Sequence, residues 1–353
     1  MKPRDGVAAL AIALAGCHAA SNTVHTPMSV ELAQQSPDAL IAEEVMAVAY
    51  SGFREGQYPD RGDGAVNPSA AEILEDLEIL VAHDFKLIRL YDSGENSRLT
   101  LELIRRHALP IQVMLGVWLE AEFSNHEGCP WLNEPIPKTE LADNAKRNVA
   151  ELRRGIELAN EFENVVVAVN VGNEALVDWN DHMVPVEKVI AYVRRVKAAI
   201  DQPVTVAENY VWWIRDGAAL AEEVDFLGVH TYAQWEGKRI DEALAYTLEN
   251  IAGVRSALPG KPLAIVEAGW ATIAEEFGER ANEADQVRFY LELENWARAT
   301  NTTVFFFEAF DEPWKGDPDA PLGAEKHWGL FNVDRTPKQL MRERSAANSA
   351  DQK

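Results

Sequence analysis

Apolar and polar positions alternate along the chain with two different periods. Eight short runs rich in β-branched and aromatic residues are typical of buried strands; they cover 45–50, 86–91, 111–117, 165–171, 204–208, 226–230, 263–266 and 303–307. Amphipathic helical patterns lie between them, most clearly at 70–81, 140–160, 186–200, 241–257 and 283–297. In the first helix Ile73, Leu77 and Leu80 share one face, and Asn67-Pro68 is the expected cap and first position.

This alternation decides the fold class. Eight strands alternating with helices over about 300 residues predict a (β/α)8 TIM barrel in a single domain. An open doubly wound sheet fits less well, because no Gly-x-Gly-x-x-Gly follows the first strand. We find no internal repeat and no linker that would divide the barrel. It is therefore expected to occupy residues 44–345, followed by a C-terminal tail at 346–353.

The N-terminus is typical of an export signal. Lys2 and Arg4 precede an apolar run at 7–15 that is too short to span a bilayer. The run ends in Leu14-Ala-Gly-Cys17, which resembles the bacterial lipobox, whose cysteine is lipidated after cleavage. The alternative is an ordinary cysteine beside a conventional cleavage site.

The lipobox interpretation divides the N-terminal region in two. Residues 1–17 would be a lipoprotein-type signal peptide, and residues 18–43 a polar tether without strong periodicity. The protein would be exported to the bacterial cell envelope and would contact the membrane only through a lipid on Cys17. Cys129 would then be the only free thiol, so the mature protein could form no intrachain disulfide.

Charge and motifs narrow the function classes. With a formal net charge of −24 and a pI of about 4.7, the chain repels phosphate backbones, which disfavours nucleic-acid binding. No Gly-x-Ser-x-Gly elbow or P-loop is present. His126, Cys129, His182 and His230 are scattered without metal-ligand spacing, so we expect neither a metal nor a cofactor. We expect a monomer.

Two strands end in a glutamate. The apolar run from Val165 ends in Gly172-Asn173-Glu174, and the run from Pro262 ends in Glu267. A single such glutamate would more simply be a helix cap or a surface acid. Because a parallel barrel places its chemistry at the carboxyl ends of the strands, two of them indicate two walls of one cleft.

Aromatic residues suggest what the cleft binds. Eight of the ten tryptophans, all but Trp296 and Trp328, fall in the loops that follow strands 3 to 8. Apolar faces of pyranose rings stack on indole, while ring hydroxyls need carboxylate and amide partners. The cleft is therefore suited to neutral sugars, and we expect about half of these eight tryptophans to face it.

The same stretches resemble glycoside hydrolase family 17, which contains β-1,3-glucanases and glucanosyltransferases. Motifs that carry the resemblance include Tyr50-Ser-Gly-Phe-Arg-Glu-Gly-Gln57, Ile88-Arg-Leu-Tyr-Asp92, Val171-Gly-Asn-Glu174, Val266-Glu-Ala-Gly-Trp270, Phe305-Phe-Phe-Glu-Ala-Phe-Asp-Glu-Pro-Trp-Lys315 and Glu325-Lys-His-Trp-Gly-Leu-Phe331. They span about residues 45 to 335 in the expected order. The resemblance implies that Glu174 is the acid/base and Glu267 the nucleophile of a retaining enzyme. The segment 118–138 is unlike the plant members.

Retention requires two carboxyl groups about 5–5.5 Å apart, one protonated and the other ionised. Asn173 is placed to bind the sugar 2-hydroxyl, and Tyr232 to hydrogen-bond the nucleophile. Loop packing is the alternative for both. Further candidates for substrate binding are Arg89, Tyr91, Trp235, Trp270, Glu308, Glu312 and Trp314. Strand-end ion pairs and hydrogen bonds would also explain the arginine, the tyrosine and the two glutamates, and loop packing the tryptophans.

The sequence thus predicts a retaining hydrolase that cleaves β-1,3-glucosidic bonds in a neutral β-1,3-glucan by double displacement. Two alternatives remain open. The first is a β-1,3-glucanosyltransferase, in which an acceptor sugar takes the glycosyl group in place of water. The second is a non-catalytic glucan-binding lipoprotein that feeds an uptake system, although binding alone would need neither glutamate at these positions.

Overall fold

The computed structural model describes residues 34–60 and 64–351, with side chains described as far as residue 347. Eight parallel strands close in chain order into a barrel, which confirms the predicted (β/α)8 fold. The strands are β1 Met46–Ala49, β2 Leu87–Arg89, β3 Gln112–Val117, β4 Val166–Asn173, β5 Val204–Asn209, β6 Leu227–His230, β7 Leu263–Gly269 and β8 Val304–Phe307. The predicted signal peptide with Cys17, and most of the predicted tether, lie outside the described residues.

Helices surround the barrel. They are α1 Ala70–Ala82, α2 Glu95–Arg106, α3 Lys138–Glu161, α4 Val186–Lys197, α5 Tyr210–Asp216, α6 Ala218–Ala221, α7 Ile240–Ala257, α8 Glu283–Thr300 and α9 Gln339–Asp351. Of these, α2, α5, α6 and α9 were not predicted. Within the part of the chain that the structure describes, no helix is both long enough and apolar enough to cross a bilayer.

The start of α1 differs from the prediction. Ser69, not Asn67, is the N-cap: its hydroxyl accepts from the backbone N–H of Glu72 at 3.3 Å. The Glu72 carboxylate accepts in return from the Ser69 N–H at 2.7 Å. Ser69-x-x-Glu72 is therefore a capping box, which satisfies two backbone donors and leaves Pro68 just outside the helix.

The barrel interior is a packed core. A cluster of buried side chains draws on seven of the eight strands and on Phe226, just before β6. It combines small and large residues: Ala47, Leu87, Met114, Ala168, Ala207, Ala264, Val266 and Phe305. Ile41, from a short 3-10 turn ahead of β1, belongs to the same cluster. Because the interior is filled, a ligand has room only at the carboxyl ends of the strands.

Candidate active site

The strand ends open into one cleft of about 1870 Å³. Ligand pockets for small molecules typically measure about 300–1,000 Å³, so this cleft has room for a larger ligand. Residues from the loops after every strand line it, and both Glu174 and Glu267 are among them. The two glutamates that the sequence singled out therefore face the same cavity.

Glu174 lies on a tight turn at the end of β4. Its φ is +47°, in the left-handed region, and Gly172 two residues earlier has a φ of +86°. A Cβ at Gly172 would approach the Leu119 side chain to 3.0 Å, so a glycine fits here for space as well as for its conformation. The N–H of Glu174 donates to the carbonyl of Ala207 on β5 at 2.8 Å. The turn leaves the Glu174 side chain 22% exposed, toward the cleft.

One histidine contacts both glutamates. His230, fully buried at the end of β6, places Nδ1 3.0 Å from Oε1 of Glu174 and 3.5 Å from Oε2 of Glu267. The two carboxylate oxygens can therefore be no farther apart than the sum of these distances, 6.5 Å. Inverting enzymes keep their carboxyl groups about 6.5–9.5 Å apart and retaining enzymes about 5–5.5 Å. The arrangement fits the retaining spacing.

Glu267 accepts three further hydrogen bonds. Oε1 accepts from Arg89 Nη1 at 2.7 Å and from the Tyr91 hydroxyl at 2.9 Å, and Oε2 accepts from the Tyr232 hydroxyl at 2.5 Å. Burial on its own raises the pKa of this carboxyl. The charges of His230 and Arg89 and the two tyrosine hydrogen bonds outweigh burial and lower the pKa below its ordinary value. Glu267 is thus held as the ionised carboxylate that a nucleophile requires.

Arg89 joins the two strand ends. Its guanidinium is fully buried and donates to Glu267, to the carbonyl of Val266 at 2.9 Å, and to Oδ1 of Asn173. Arg89 does not line the cleft. It therefore orients the Glu267 carboxylate and the Asn173 amide from behind the residues that line the cleft.

A second group of charges lies after β8. The Lys315 ammonium is 2.5 Å from Oε2 of both Glu308 and Glu312. Burial, and then the charge of Glu312, raise the pKa of Glu308 well above its ordinary value. For Glu312 the effect of burial is outweighed by the Lys315 charge, which lowers the pKa. These shifts favour the protonated form of Glu308 and the ionised form of Glu312 beside the Lys315 ammonium. Glu312 and Lys315 line the cleft.

Six tryptophans line the cleft: Trp118, Trp131, Trp179, Trp235, Trp314 and Trp328. Five of these belong to the eight loop tryptophans, of which we expected about half to face it. Trp270 does not bind substrate in the way the sequence suggested, because it does not face the cleft. It is fully buried, packs on Phe289 with 5.7 Å between ring centroids, and donates its indole N–H to the Arg280 carbonyl. Trp328, which the sequence argument set aside, lines the cleft beside Tyr232, 5.2 Å between rings.

The remaining predicted residues divide into two groups. Those that line the cleft are Tyr91, Asn173, Glu174, Tyr232, Trp235, Glu267, Glu312 and Trp314. Those that do not are Arg89, Trp270 and Glu308. Arg89 and Glu308 still belong to the site, because Arg89 bonds Glu267 and Glu308 pairs with the cleft residue Lys315.

His230 and Lys315 were missed as site residues. His230 lies two residues before Tyr232 at the end of β6, so its place on a strand end was the available signal. Lys315 lies seven residues after Glu308 and three after Glu312 in a strand-end motif. What the sequence does not show is that these side chains converge on carboxylates from other strands.

The segment 118–137 forms the outer wall beside Glu174. The N–H groups of Glu122 and Phe123 both donate to the Met183 carbonyl at 3.0 Å, and Asn125 donates to the Asp178 carbonyl. Trp131, carried on this anchored segment, is 62% exposed and lines the cleft. An indole held open to solvent within a cleft is available to stack on a ligand.

The described residues contain no group of three or more His, Cys, Asp or Glu side chains arranged to hold a metal ion. The chemistry that the site offers is that of its carboxyl groups. Glu267 is held ionised, and Glu174 lies on the other side of His230, which contacts both.

Comparison with known proteins gives consistent results. The BtgE/BtgC glycoside hydrolase domain matches residues 47–329. A glucan 1,3-beta-glucosidase of Arthroderma benhamiae is 28% identical over 311 residues, 83% of this chain and 91% of that protein. A putative glucan endo-1,3-beta-glucosidase of Aspergillus niger is 27% identical over 295 residues, 77% of this chain and 40% of that longer protein.

Solved structures are similar over most of the chain. The crystal structure of an endo-laminarinase from Formosa has a TM-score of 0.75 and 26% identity, covering 89% of both chains. A Rhizomucor miehei beta-1,3-glucanosyltransferase in complex with laminaritriose has a TM-score of 0.64 and 21% identity, covering 86% of this chain and 97% of that one. The latter likeness is one of fold.

Proposed function

The chain belongs to the BtgE/BtgC glycoside hydrolase family, and from this premise we propose that it hydrolyses β-1,3-glucosidic bonds in β-1,3-glucan with retention of configuration. The observation that carries the mechanism is the shared contact of Glu174 and Glu267 with His230. The contact keeps one oxygen of each carboxylate within 6.5 Å of the other, which supports the shorter, retaining spacing.

In the first step, the ionised Glu267 attacks the anomeric carbon of the sugar and forms a glycosyl ester. Glu174 gives its proton to the glycosidic oxygen as the bond to the leaving sugar breaks. In the second step, Glu174 takes a proton from water, the water oxygen bonds to the anomeric carbon, and Glu267 leaves as a carboxylate. Both inversions occur at one carbon, so the β configuration returns.

The cleft supports a neutral glucan chain as substrate. Five tryptophans of the lining present apolar surface: Trp118, Trp131, Trp179, Trp235 and Trp314. Asn173, Glu174 and Glu312 supply short polar partners for hydroxyl groups. The chain carries a net charge of −24, which disfavours an anionic polysaccharide. Relatives of this chain are named for action on 1,3-β-linked glucan, and the Formosa enzyme for laminarin.

Chemical rescue by azide tests the roles of Glu174 and Glu267, because the configuration of the azide product depends on which carboxyl group has been removed. Glu267→Ala leaves a gap on the α face, where azide attacks an activated β-glucoside once and gives an α-glucosyl azide. Glu174→Ala keeps the nucleophile, so azide intercepts the glycosyl-enzyme and gives a β-glucosyl azide. Proton NMR distinguishes the two anomers. The reverse pattern would exchange the roles, and near-wild-type activity on unactivated glucan in either variant would remove that residue from the mechanism.

Hydrolysis and transfer differ only in what accepts the glycosyl group. We propose hydrolysis, in line with the glucosidase names of the relatives. The purified protein should shorten a linear β-1,3-glucan steadily over time. Products longer than the starting oligosaccharide would instead identify a glucanosyltransferase.

We also propose that the protein is exported, carries a lipid on Cys17 and acts as a monomer. The support is the apolar run before Leu14-Ala-Gly-Cys17. Attachment near a membrane would keep the barrel at the cell envelope, where extracellular glucan is encountered.

A further inference from the structure

Glu208 is a buried acid that the proposed mechanism does not use. It lies on β5 one residue before the strand ends, and it is fully buried. Its Oε1 accepts a hydrogen bond from the N–H of Leu176 at 2.7 Å, whereas its Oε2 has no hydrogen-bond partner. A buried carboxyl oxygen without a partner is costly and requires an explanation.

The contact of Glu208 falls on the turn that carries Glu174. Glu174 donates its N–H to Ala207, and Leu176 donates its N–H to Glu208, so successive residues of β5 hold the turn at two points. A non-glycine residue in the left-handed region is strained, because its Cβ comes too close to the following carbonyl oxygen. The φ of +47° at Glu174 therefore persists because such contacts hold it.

The groups that face Glu208 favour its uncharged form. Glu174 is the acidic neighbour from β4, and on β6 the register partner of Glu208 is Val229, with His230 one residue farther. Among the residues that the structure describes, no Lys, Arg or His forms an ion pair with it. Burial, and then the charge of Glu174, raise the pKa of Glu208 well above its ordinary value.

We propose that Glu208 is a positioning residue for Glu174: its buried carboxyl accepts the Leu176 N–H and fixes the turn that aims the acid/base at the glycosidic oxygen. The inference rests on the proposed role of Glu174. A neutral Glu208 also suits that role, because a second negative charge here would oppose each ionisation of Glu174 in the catalytic cycle.

Leaving-group dependence separates this role from a merely structural one. An acid is needed to expel a sugar, but hardly needed to expel dinitrophenolate. Glu208→Ala removes the acceptor for Leu176, so we expect kcat/KM on laminari-oligosaccharides to fall by about tenfold or more. On a dinitrophenyl β-glucoside the same variant should stay within about threefold of wild type.

Glu208→Gln is the conservative variant, since it keeps an acceptor for Leu176 and is neutral. It should retain the wild-type pH profile and kcat/KM within about threefold. If Glu208 were ionised, its replacement by Gln would lower the pKa of Glu174 and shift the basic limb of the profile to lower pH. Such a shift would overturn the neutral assignment.

A control sits on the same strand. Thr205, also fully buried, donates its hydroxyl to the Phe226 carbonyl at 2.7 Å, at the other end of β5. Thr205→Val should lower the melting temperature without making kcat/KM depend more steeply on the leaving group. Equal losses for Glu208→Ala on both substrates, or no loss on either, would overturn the proposal.

Glu174→Ala completes the set. If it shows the steep leaving-group dependence and Glu208→Ala does not, the positioning role fails and the acid/base role stands. If Glu174→Ala itself shows no such dependence, the proposed function of Glu174 fails first.

Discussion

The Tyr232 hydroxyl lies 2.5 Å from Oε2 of Glu267, on the side of the carboxylate away from Arg89. This hydrogen bond favours the ionised carboxylate, because a hydroxyl donates to the charged form. It is one of the contacts that hold the pKa of Glu267 below its ordinary value. Glu267 therefore stays ionised to lower pH than an ordinary carboxyl, and with Glu267 as the proposed nucleophile we expect activity to extend to lower pH as well.

Tyr232→Phe should move the acid limb of the pH profile. Loss of the donor raises the Glu267 pKa, so protonation abolishes attack at a higher pH than in wild type. A hydrogen bond to a charged group contributes about 1.5–3 kcal/mol, so kcat/KM at neutral pH should fall by roughly 10- to 100-fold. The measurement is kcat/KM against pH, which reports the free enzyme.

Tyr290→Phe is the matched control, because this fully buried tyrosine lies on α8 with its hydroxyl 3.5 Å from Arg344. Its pH profile should overlay that of wild type. An acid limb that stays in place for Tyr232→Phe would mean that this hydroxyl does not set the Glu267 pKa.

Lys315→Met should destabilise the protein and do so most at neutral pH. It leaves the Glu312 carboxylate buried without its cation, and breaking a buried pair costs about 3–5 kcal/mol. In wild type the lowered pKa of Glu312 adds stability above its ordinary pKa, and that stability is lost as the pH falls through the folded-state value. The variant loses this contribution, so its deficit should shrink as the pH falls and Glu312 protonates.

Denaturant unfolding of both proteins across a pH series measures this difference. Lys86→Met is the control, since Lys86 forms only a surface pair with Asp84 and its loss should leave the melting temperature unchanged. A pH-independent deficit for Lys315→Met would show that lost packing, and not an unpaired charge, is responsible.

Trp131→Ala should weaken activity on long chains alone. Trp131 lines the cleft from a segment that begins beyond β3, so it is available to stack on sugars outside the cleavage point. Loss of one stacking contact is worth about 1 kcal/mol, so kcat/KM on polymeric β-1,3-glucan should fall roughly fivefold. Activity on an activated monoglucoside should be retained.

Phe123→Ala is the control from the same segment, because Phe123 is 50% exposed but does not line the cleft. It should leave both activities unchanged. Equal loss on the polymer and the monoglucoside for Trp131→Ala would point to a disturbed catalytic centre and not to a lost binding contact.

Cys17→Ser should abolish lipid attachment. Labelled palmitate should enter wild type and the Cys129→Ser variant, which changes the other, buried cysteine. The variant lacking Cys17 should remain unlabelled and fail to partition with membranes. Label in Cys17→Ser equal to wild type would disprove the lipobox interpretation.

The sequence predicted the barrel because each buried strand is an apolar run and each run is followed by a helical pattern. Helix α2 escaped notice because its buried face is half polar: Asn96, Ser97 and Thr100 are buried together with Leu101 and Ile104. The Asn96 side chain donates a hydrogen bond to the Ser51 carbonyl in the loop after β1. The helix is amphipathic, but few of its residues are apolar, so its buried face is set by tertiary contacts as much as by an apolar pattern.

The candidate site was predictable as far as its positions along the strands. Glu174 and Glu267 follow apolar runs, so their approach to the cleft followed from the fold. The direction of a side chain beyond a strand end did not, as Trp270 shows by turning toward Phe289 on α8. Contacts that join several strands, such as those of His230 and Arg89, depend on the closed barrel and carry no local signal.

Register in the sheet places Asn209 opposite His230, and His230 opposite Glu267. His230 and Glu267, which contact each other, thus stand on adjoining strands at one level, where hydrogen bonding fixes spacings near 4.8 Å. The walls that carry Trp131 and Trp314 lie beyond this ladder. Mutation and insertion can therefore change the walls while the strands preserve the geometry of bond cleavage. Proteins that share this barrel can thus come to bind a different polysaccharide with the same arrangement of carboxyl groups.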